Sequence, residues 1–378
     1  MELNRKVEKL KYSLIRVLKE EASKYSDVIN LTIGEPDIPT PKELVMEAMK
    51  YGEENQLNYA QAGGNEKIRK LVADYYNNKY GSSYDIDNII MNVGGSEALS
   101  SSLKTILNPD DEVMITAPFY PGYPAMIETN YGKTVVMDIS KTDFKITKEL
   151  LEEYVSDKTK AILFSNPCNP SGNVMSIEEM KIVVDFISER EIFLISDEIY
   201  SSLAFYDYYS FSSFEKIKDK LIIINGFSKS HSMTGWRIGY TICPSKYRKN
   251  FLNTSFYTLS CPMTLSLKGA EIALEKFSNL NVVEIYKERA EYMSKILESL
   301  GFKVLKPKGA FYIFAEYSKI SDLNSLDFAM DILKKVRVAV VPGISFGVEK
   351  YIRVALTVDM EKLKISAERL KKYCDELK

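Results

Sequence analysis

The chain has 378 residues, more than one small core needs, and points to about two domains. With 45% apolar and 27% charged residues it reads as an ordinary soluble globular protein, and 50 basic against 52 acidic residues, net −2, give no electrostatic ground for nucleic acid. No stretch approaches the ~20 apolar residues of a membrane span. The N-terminus, MELNRKVEKLKYSLIRVLKE, lacks a secretory core and reads as an amphipathic helix. Cys168, Cys243, Cys261 and Cys374 show no metal-ligand spacing, so a reduced, cytoplasmic setting without a metal centre is expected. His231 is the only histidine; any Ser-His-Asp or Cys-His triad would pass through it, and it reads instead as a packing or loop residue.

In chain order, residues 1–25 are helical by pattern and 28–32 form a short apolar run. GEPDIPTP, 34–41, is too dense in turn residues for regular structure. It is either a linker or a backbone that Gly34, with no Cβ, brings close to a ligand carboxylate. Thr40 as N-cap and Pro41 at the first helical position open a helix to about residue 51, and a second covers 66–80. Between them NYAQAGG, 58–64, holds Tyr59 in a loop, where its hydroxyl packs or reaches a phosphate. A strand over 88–93, the GGSEAL turn and a helix ending near 108–109 make either a plain strand–helix turn or an anion site of free N–H groups and helix dipole. The spacing matches neither the dinucleotide nor the triphosphate loop.

A strand over 112–116 ends in APFYPGYP, where Tyr120 and Tyr123 suit core packing or stacking on a flat heterocycle. Strands over 134–138 and 160–165 follow. The second ends in NPCNPSG, 166–172, whose Asn-Pro steps fix amide side chains, and Asn169 would offer a donor to a phenolic or carbonyl oxygen. After a helix over 178–190, a strand over 192–196 leads into DEIY. Asp197 is thereby placed partly buried at the sheet's carboxyl edge, where it needs several donors or a cation such as a protonated ring nitrogen. Tyr200 shares its face if the chain turns helical there. The apolar run 221–224 then meets NGFSKSHSMTGWRIGY, 225–240. Ligands of open α/β sheets bind outside the carboxyl ends of strands. Lys229 is therefore either a surface lysine or a desolvated amine able to form a Schiff base with a carbonyl cofactor. Ser228 and Arg237 suit a phosphate.

Residues 234–243 read as one more strand, and 263–300 as a long helical region broken near 278–281, the expected start of a C-terminal domain. There 302–305, 310–315, 336–340 and 351–354 are short strands and 360–377 a last helix. Arg353, flanked by apolar residues in YIRVAL, demands an anion, either a structural carboxylate or a substrate carboxylate held bidentately. No internal repeat is present.

Taken in order, GEPD, NYAQAGG, GGSEAL, NPCNPSG, DEIY, SKSHSMTGWRIG, PKGAFY, PGISFG and IRVA resemble the motifs of the pyridoxal-phosphate enzymes of the aspartate aminotransferase family, over residues 34–355. The resemblance implies an α/β fold of two domains. A large domain, 41–278, would hold a mostly parallel seven-stranded sheet between helices, and a smaller α+β domain would combine 1–40 with 279–378. It implies pyridoxal 5′-phosphate as cofactor, with Lys229 as Schiff-base lysine and general acid/base. Asp197 would keep the pyridine nitrogen protonated, Tyr200 and Asn169 bond the ring's phenolate oxygen, and Tyr120 stack on the ring. Gly95, Ser96, Ser228 and Arg237 match the phosphate cup, with Tyr59 reaching in from the neighbouring subunit of a homodimer. Arg353, helped by Asn169 and the Gly34 backbone, matches the clamp on the substrate α-carboxylate.

Three positions depart from the family pattern. Gly226 stands where some members carry a hydroxyl, Ser96 where some dicarboxylate-specific members carry a lysine, and Cys168 where asparagine is commoner. The activity implied is ping-pong transfer of the amino group of an L-amino acid to a 2-oxo acid. A β-lyase or oxidase-like enzyme would use the same carbanion and release ammonia. A non-catalytic amino-acid sensor would add a DNA-binding domain, and none is read here. Neither a membrane nor a nucleic-acid partner is expected.

Overall fold

LIIING, Leu221–Gly226, is buried along its whole length, as a strand must be when helices cover both faces of a parallel sheet. In this computed structural model, which describes residues 2–8, 10, 13–277, 280 and 282–377, it lies near the middle of the largest sheet. After a two-residue strand β1 (Ile29–Asn30), that sheet takes β2 (Ile89–Asn92), β3 (Glu112–Ala117), β4 (Lys133–Asp138), β5 (Thr159–Ser165), β6 (Phe193–Asp197), β7 (Leu221–Gly226) and β8 (Gly239–Ile242). Among the described residues its order is β2-β8-β7-β6-β5-β3-β4. Only β8 runs antiparallel to its neighbours.

Alternate residues of these strands serve two cores. Met114, Ile162, Leu194 and Ile223 join one with the helices Glu66–Tyr80, Ile177–Ser188 and Thr264–Lys276. Ile115, Leu163, Ile195, Ile222 and Ile224 join the other with the helices Gly94–Ile106 and Arg248–Leu259. This is the period-2 alternation of a sheet covered on both faces.

The C-terminal third supplies β9 (Lys303–Leu305), β10 (Tyr312–Glu316), β11 (Val338–Ala339), β12 (Val341–Pro342) and β13 (Tyr351–Ala355). Four of them form an antiparallel sheet in the order β12-β13-β10-β9, while β1 pairs in parallel with β11. The N-terminal segment thus packs with the C-terminal third: Leu18, Ala22, Ile29 and Leu31 share a core with Met293, Phe328, Ile352 and Leu370.

Several expected boundaries shift. The N-terminal helix comes in two described pieces, Arg5–Glu8 and Leu14–Ala22. Thr40 does not cap the next helix, Lys42–Glu54: its hydroxyl donates to Ser232 O at 2.7 Å, and Pro41 stands at the N-cap without a side-chain bond. The strand expected over 234–243 is shorter. Thr234–Trp236 is a 3-10 turn ended by Arg237 in the left-handed region, so β8 begins only at Gly239. The helices Gly122–Thr129, Arg248–Leu259 and Ser325–Val336 were not legible as such. The strand expected over 336–340 divides, because Val336 ends a helix and Arg337, at φ 58°, turns the chain before β11 and β12. Of the break expected at 278–281, residues 278, 279 and 281 lie outside the described residues; helices lie on either side, Thr264–Lys276 and Val283–Ser299.

Candidate active site

β5, β6 and β7 are parallel neighbours, so the residues after their carboxyl ends meet at one edge of the sheet. β8 runs the other way and starts at that same edge. Gly239, its first residue, pairs with Asn92 at the end of β2 and with Gly226 at the end of β7. This register is why Arg237, just before β8, and the Gly94–Gly95 turn, just after β2, arrive beside Lys229 from distant parts of the sequence. There a cavity of about 300 Å³ is lined by Gly34, Gly95, Ser96, Tyr120, Asn169, Asp197, Tyr200, Ser228, Lys229, Arg237 and Arg353. Of the residues expected at the site, Tyr59 alone lies elsewhere, in a surface loop and 93% exposed.

Lys229 Nζ donates to Gly34 O at 2.6 Å and lies 6.0 and 5.9 Å from the ring centres of Tyr200 and Phe311. Burial lowers the amine from 10.5 to about 8; Glu35 and Asp197 oppose that shift, while Arg237 and Arg353 add to it. Gly34 is tightly held from its other side. A Cβ there would lie 2.4 Å from Tyr312 Oη, so the space its missing side chain leaves is filled by a buried phenol.

Asp197 accepts from Tyr123 Oη at 2.7 Å and from Ile199 N at 3.2 Å. Both donors are neutral. Burial raises its pKa above the usual carboxylate value, partly offset by these bonds and by Lys229. Tyr120 stands edge-on to Tyr123, ring centres 5.4 Å apart. Within 166–172 the peptide bonds Asn166–Pro167 and Asn169–Pro170 are cis. Asn169, buried, accepts Arg353 Nη1 at 3.0 Å through Oδ1, which leaves its amide nitrogen to donate.

Arg353 is 3% exposed on β13. Its Nη2 donates to Thr32 O at 2.7 Å, its Nε has no partner, and both bonded acceptors are neutral. Burial lowers its pKa below the ordinary guanidinium value. A guanidinium so placed lacks an anion, and no structural carboxylate fills that role among the described residues.

Arg237, at φ 50°, donates from Nη1 to Thr234 O at 2.9 Å, and Thr234 in turn donates to Glu35. Its guanidinium lies over the start of the helix Gly94–Ile106: a Cβ on Gly94 would come 2.8 Å from Nη2. Helix dipole, free N–H groups and a forked cation therefore converge beside Ser228. Gly226, where a hydroxyl was absent from the expected cup, has a steric reason. A Cβ there would sit 2.8 Å from Gly239 Cα, where β7 and β8 meet.

Sequence reasoning did not single out Thr32 or Tyr312, nor give Tyr123 its bond to Asp197. Tyr312 lies in the PKGAFY motif and in the strand expected over 310–315, but only pairing of β10 with β13 brings it to Arg353. His231 is buried packing, as expected. Its ring nitrogens meet Ser230 Oγ at 2.7 Å and Phe277 O at 3.1 Å, and burial lowers its pKa to about 4. Among the described residues no group of His, Cys, Asp or Glu is arranged to hold a metal, and no helix is long and apolar enough to cross a membrane.

Comparison with known proteins identifies the class. The profile of the family "Aminotransferase class I and II" matches residues 26–370. The chain is 38% identical over 376 residues to a probable N-acetyl-LL-diaminopimelate aminotransferase of Bacillus subtilis, covering 98% of this chain and 95% of that one. It is 33% identical to the aspartate aminotransferase of Thermotoga maritima, covering 93% and 92%. A double mutant of Thermus thermophilus aspartate aminotransferase superposes with a TM-score of 0.94 at 28% identity, covering 98% and 99%. The chain belongs to the class I and II aminotransferases, with their α/β fold, and is a transferase.

Proposed function

We propose that this aminotransferase moves the amino group of an L-amino acid to a 2-oxo acid by a ping-pong sequence, with pyridoxal 5′-phosphate held at Lys229. The observation that carries this reading is the convergence on one cavity of an amine lowered to about 8, a carboxylate with only neutral partners and a buried guanidinium without an anion. The residues fit the cofactor. Lys229 would hold its aldehyde carbon, Asp197 its ring nitrogen, Asn169 and Tyr200 its phenolic oxygen, and Tyr120 its ring face. Gly95, Ser96, Ser228 and Arg237 would hold its phosphate, with Tyr59 of the partner subunit. When bound, the group supplies an electron sink for the carbanion at the substrate α-carbon.

The chain's own residues do the rest. Arg353, with Asn169 and the Gly34 backbone, clamps the α-carboxylate and so fixes which substrate bond faces Lys229. Lys229 Nζ, neutral above about pH 8, takes the α-proton as base and returns it as acid from the same face. Asp197, ionised, would keep a ring nitrogen cationic through charge and hydrogen bonding.

The two-domain division at residues 40 and 278 and a homodimer belong to the same reading. Met46, Met49, Leu57, Tyr59, Tyr257 and Met263 are all exposed apolar side chains. They lie on segments that touch: the helices Lys42–Glu54 and Thr264–Lys276 pack together, Thr264 bonds Asn58 O at 2.6 Å, and Leu252 lies against Gly63. Exposed apolar side chains gathered on adjoining segments, Tyr59 among them, suit a second copy of the chain.

The test is to load the protein with pyridoxal phosphate and follow its visible absorbance through a panel of amino acids. One amino acid should shift the band, a 2-oxo acid should restore it, and no ammonia should appear. Release of ammonia in place of amine transfer would point instead to a lyase or oxidase. Lys229→Ala protein, treated with borohydride, should retain no covalent pyridoxyl group; a retained one would remove Lys229 from its role.

A further inference from the structure

We infer that Tyr312 is a positioning residue for both poles of the site: its hydroxyl sets the Tyr200 phenol, and its ring sets the plane of the Arg353 guanidinium. The inference rests on the reading above for Tyr200 and Arg353, and extends it to a residue outside that set.

The hydroxyl half stands on contacts. Tyr312 Oη and Tyr200 Oη are 2.8 Å apart, both buried, and the Tyr312 hydroxyl is pressed against Gly34. Two phenols that share one hydrogen bond leave one proton for a third partner. For Tyr200 to donate to a phenolic oxygen, Tyr312 must donate to Tyr200. The Arg353 charge favours that direction, because its Cζ lies 4.4 Å from the centre of the Tyr312 ring and makes that phenol the readier donor. Burial raises Tyr200 well above its ordinary pKa and Tyr312 above its own, with Arg353 opposing both. A hydroxyl that also accepts a bond donates more strongly, so Tyr312 sharpens Tyr200 through that shared bond.

The ring half stands on the sheet. Phe314 is directly opposite Arg353 in the β10–β13 pair, so Tyr312, two residues before it, is its diagonal neighbour on the same face. Phe346 approaches Arg353 to 5.0 Å. With Nε unpaired, these aromatic faces and two neutral oxygens hold the guanidinium plane before any carboxylate arrives.

The hydroxyl and the ring separate experimentally. A donor to a phenolic oxygen stabilises its anion and lowers the pH at which the visible band of the loaded protein titrates. Tyr312→Phe, which keeps the ring, should raise that midpoint by about half a unit, the share of a neutral hydrogen bond felt at one remove. In a Tyr200→Phe background the same substitution should add no shift. Propionate, a non-reacting carboxylate titrated against the band, should bind Tyr312→Phe protein within about two-fold of the parent and Tyr312→Leu about ten-fold more weakly. An unmoved midpoint in Tyr312→Phe, or an equal shift in both backgrounds, overturns the hydroxyl half. Unchanged propionate affinity in Tyr312→Leu overturns the ring half. A parent protein with no visible band after loading overturns the cofactor reading instead, so the two failures are distinct.

Discussion

At the residue scale, Lys229 shows how position shifts the titration of an ordinary side chain. Burial of its amine, with Arg237 and Arg353 nearby, disfavours the charged form, although Gly34 O accepts a hydrogen bond from it. In the cofactor-free protein its reaction with an amine-directed aldehyde should titrate with a midpoint near pH 8, absent from Lys229→Met. The same shift affects stability. Between about pH 8 and 10.5 the unfolded chain holds a proton on this lysine that the folded chain has lost, so stability rises with pH in that window. Denaturant midpoints measured against pH should rise less steeply in Lys229→Met than in the parent. Equal slopes would show the amine to be unperturbed.

At the scale of elements, the turn after β6 depends on a buried carboxyl that touches no part of the cavity. Glu198, fully buried, accepts from Ser210 Oγ at 2.8 Å and 2.9 Å, from Ser196 Oγ at 3.1 Å and from Tyr76 Oη at 3.3 Å, while its backbone N–H bonds Ile224 O. It thereby ties the segment carrying Asp197 and Tyr200 to β7 and to the helix Glu66–Tyr80. Burial raises its pKa from 4.5 to about 7 despite the hydroxyls. Between those values the folded chain holds a proton the unfolded chain has released, so its contribution is complete below pH 4.5 and is lost as pH rises through about 7. Glu198→Gln, which keeps the shape without the charge, should flatten the fall in thermal midpoint between pH 5 and 8. A variant that falls as steeply as the parent would show that the carboxyl is not the group responsible.

At the scale of the whole molecule, the site draws on every part of the chain. Thr32 and Gly34 come from the N-terminal segment, Asp197 and Lys229 from the large sheet, and Tyr312 and Arg353 from the C-terminal sheet. Asp37, in the same loop as Gly34, accepts Arg289 Nη1 at 2.8 Å, while Glu35 accepts from Thr234. One short loop therefore links the Lys229 turn to the C-terminal helices, and forces on either side reach it. The proposed dimer adds the last contribution. Tyr257→Asp, which sets a charge in the exposed apolar face, should shift sedimentation from dimer toward monomer and weaken retention of pyridoxal phosphate, because Tyr59 would leave the neighbouring site. An unchanged dimer would place the interface elsewhere.

The residue types and their order along the chain were enough to name the family. Strand ends, glycine turns and a buried-strand carboxylate are local features, because turn chemistry and side-chain period act over a few residues. So Lys229, Asp197, Asn169, Arg237 and Arg353 could be picked out before any fold was drawn. Helices without clear caps escaped the same reading: Arg248–Leu259 has only Phe251 buried, so its apolar period is faint, and Gly122–Thr129 begins inside a proline-rich turn. What only the tertiary structure decided is how the poles connect. The Tyr200–Tyr312 bond joins residues 112 apart in sequence, Arg353 reaches Thr32 across 321, and Arg237 meets Gly94 because β8 reverses direction between β2 and β7. Such contacts follow from strand register and from the closure of distant segments on one core, which no local pattern encodes.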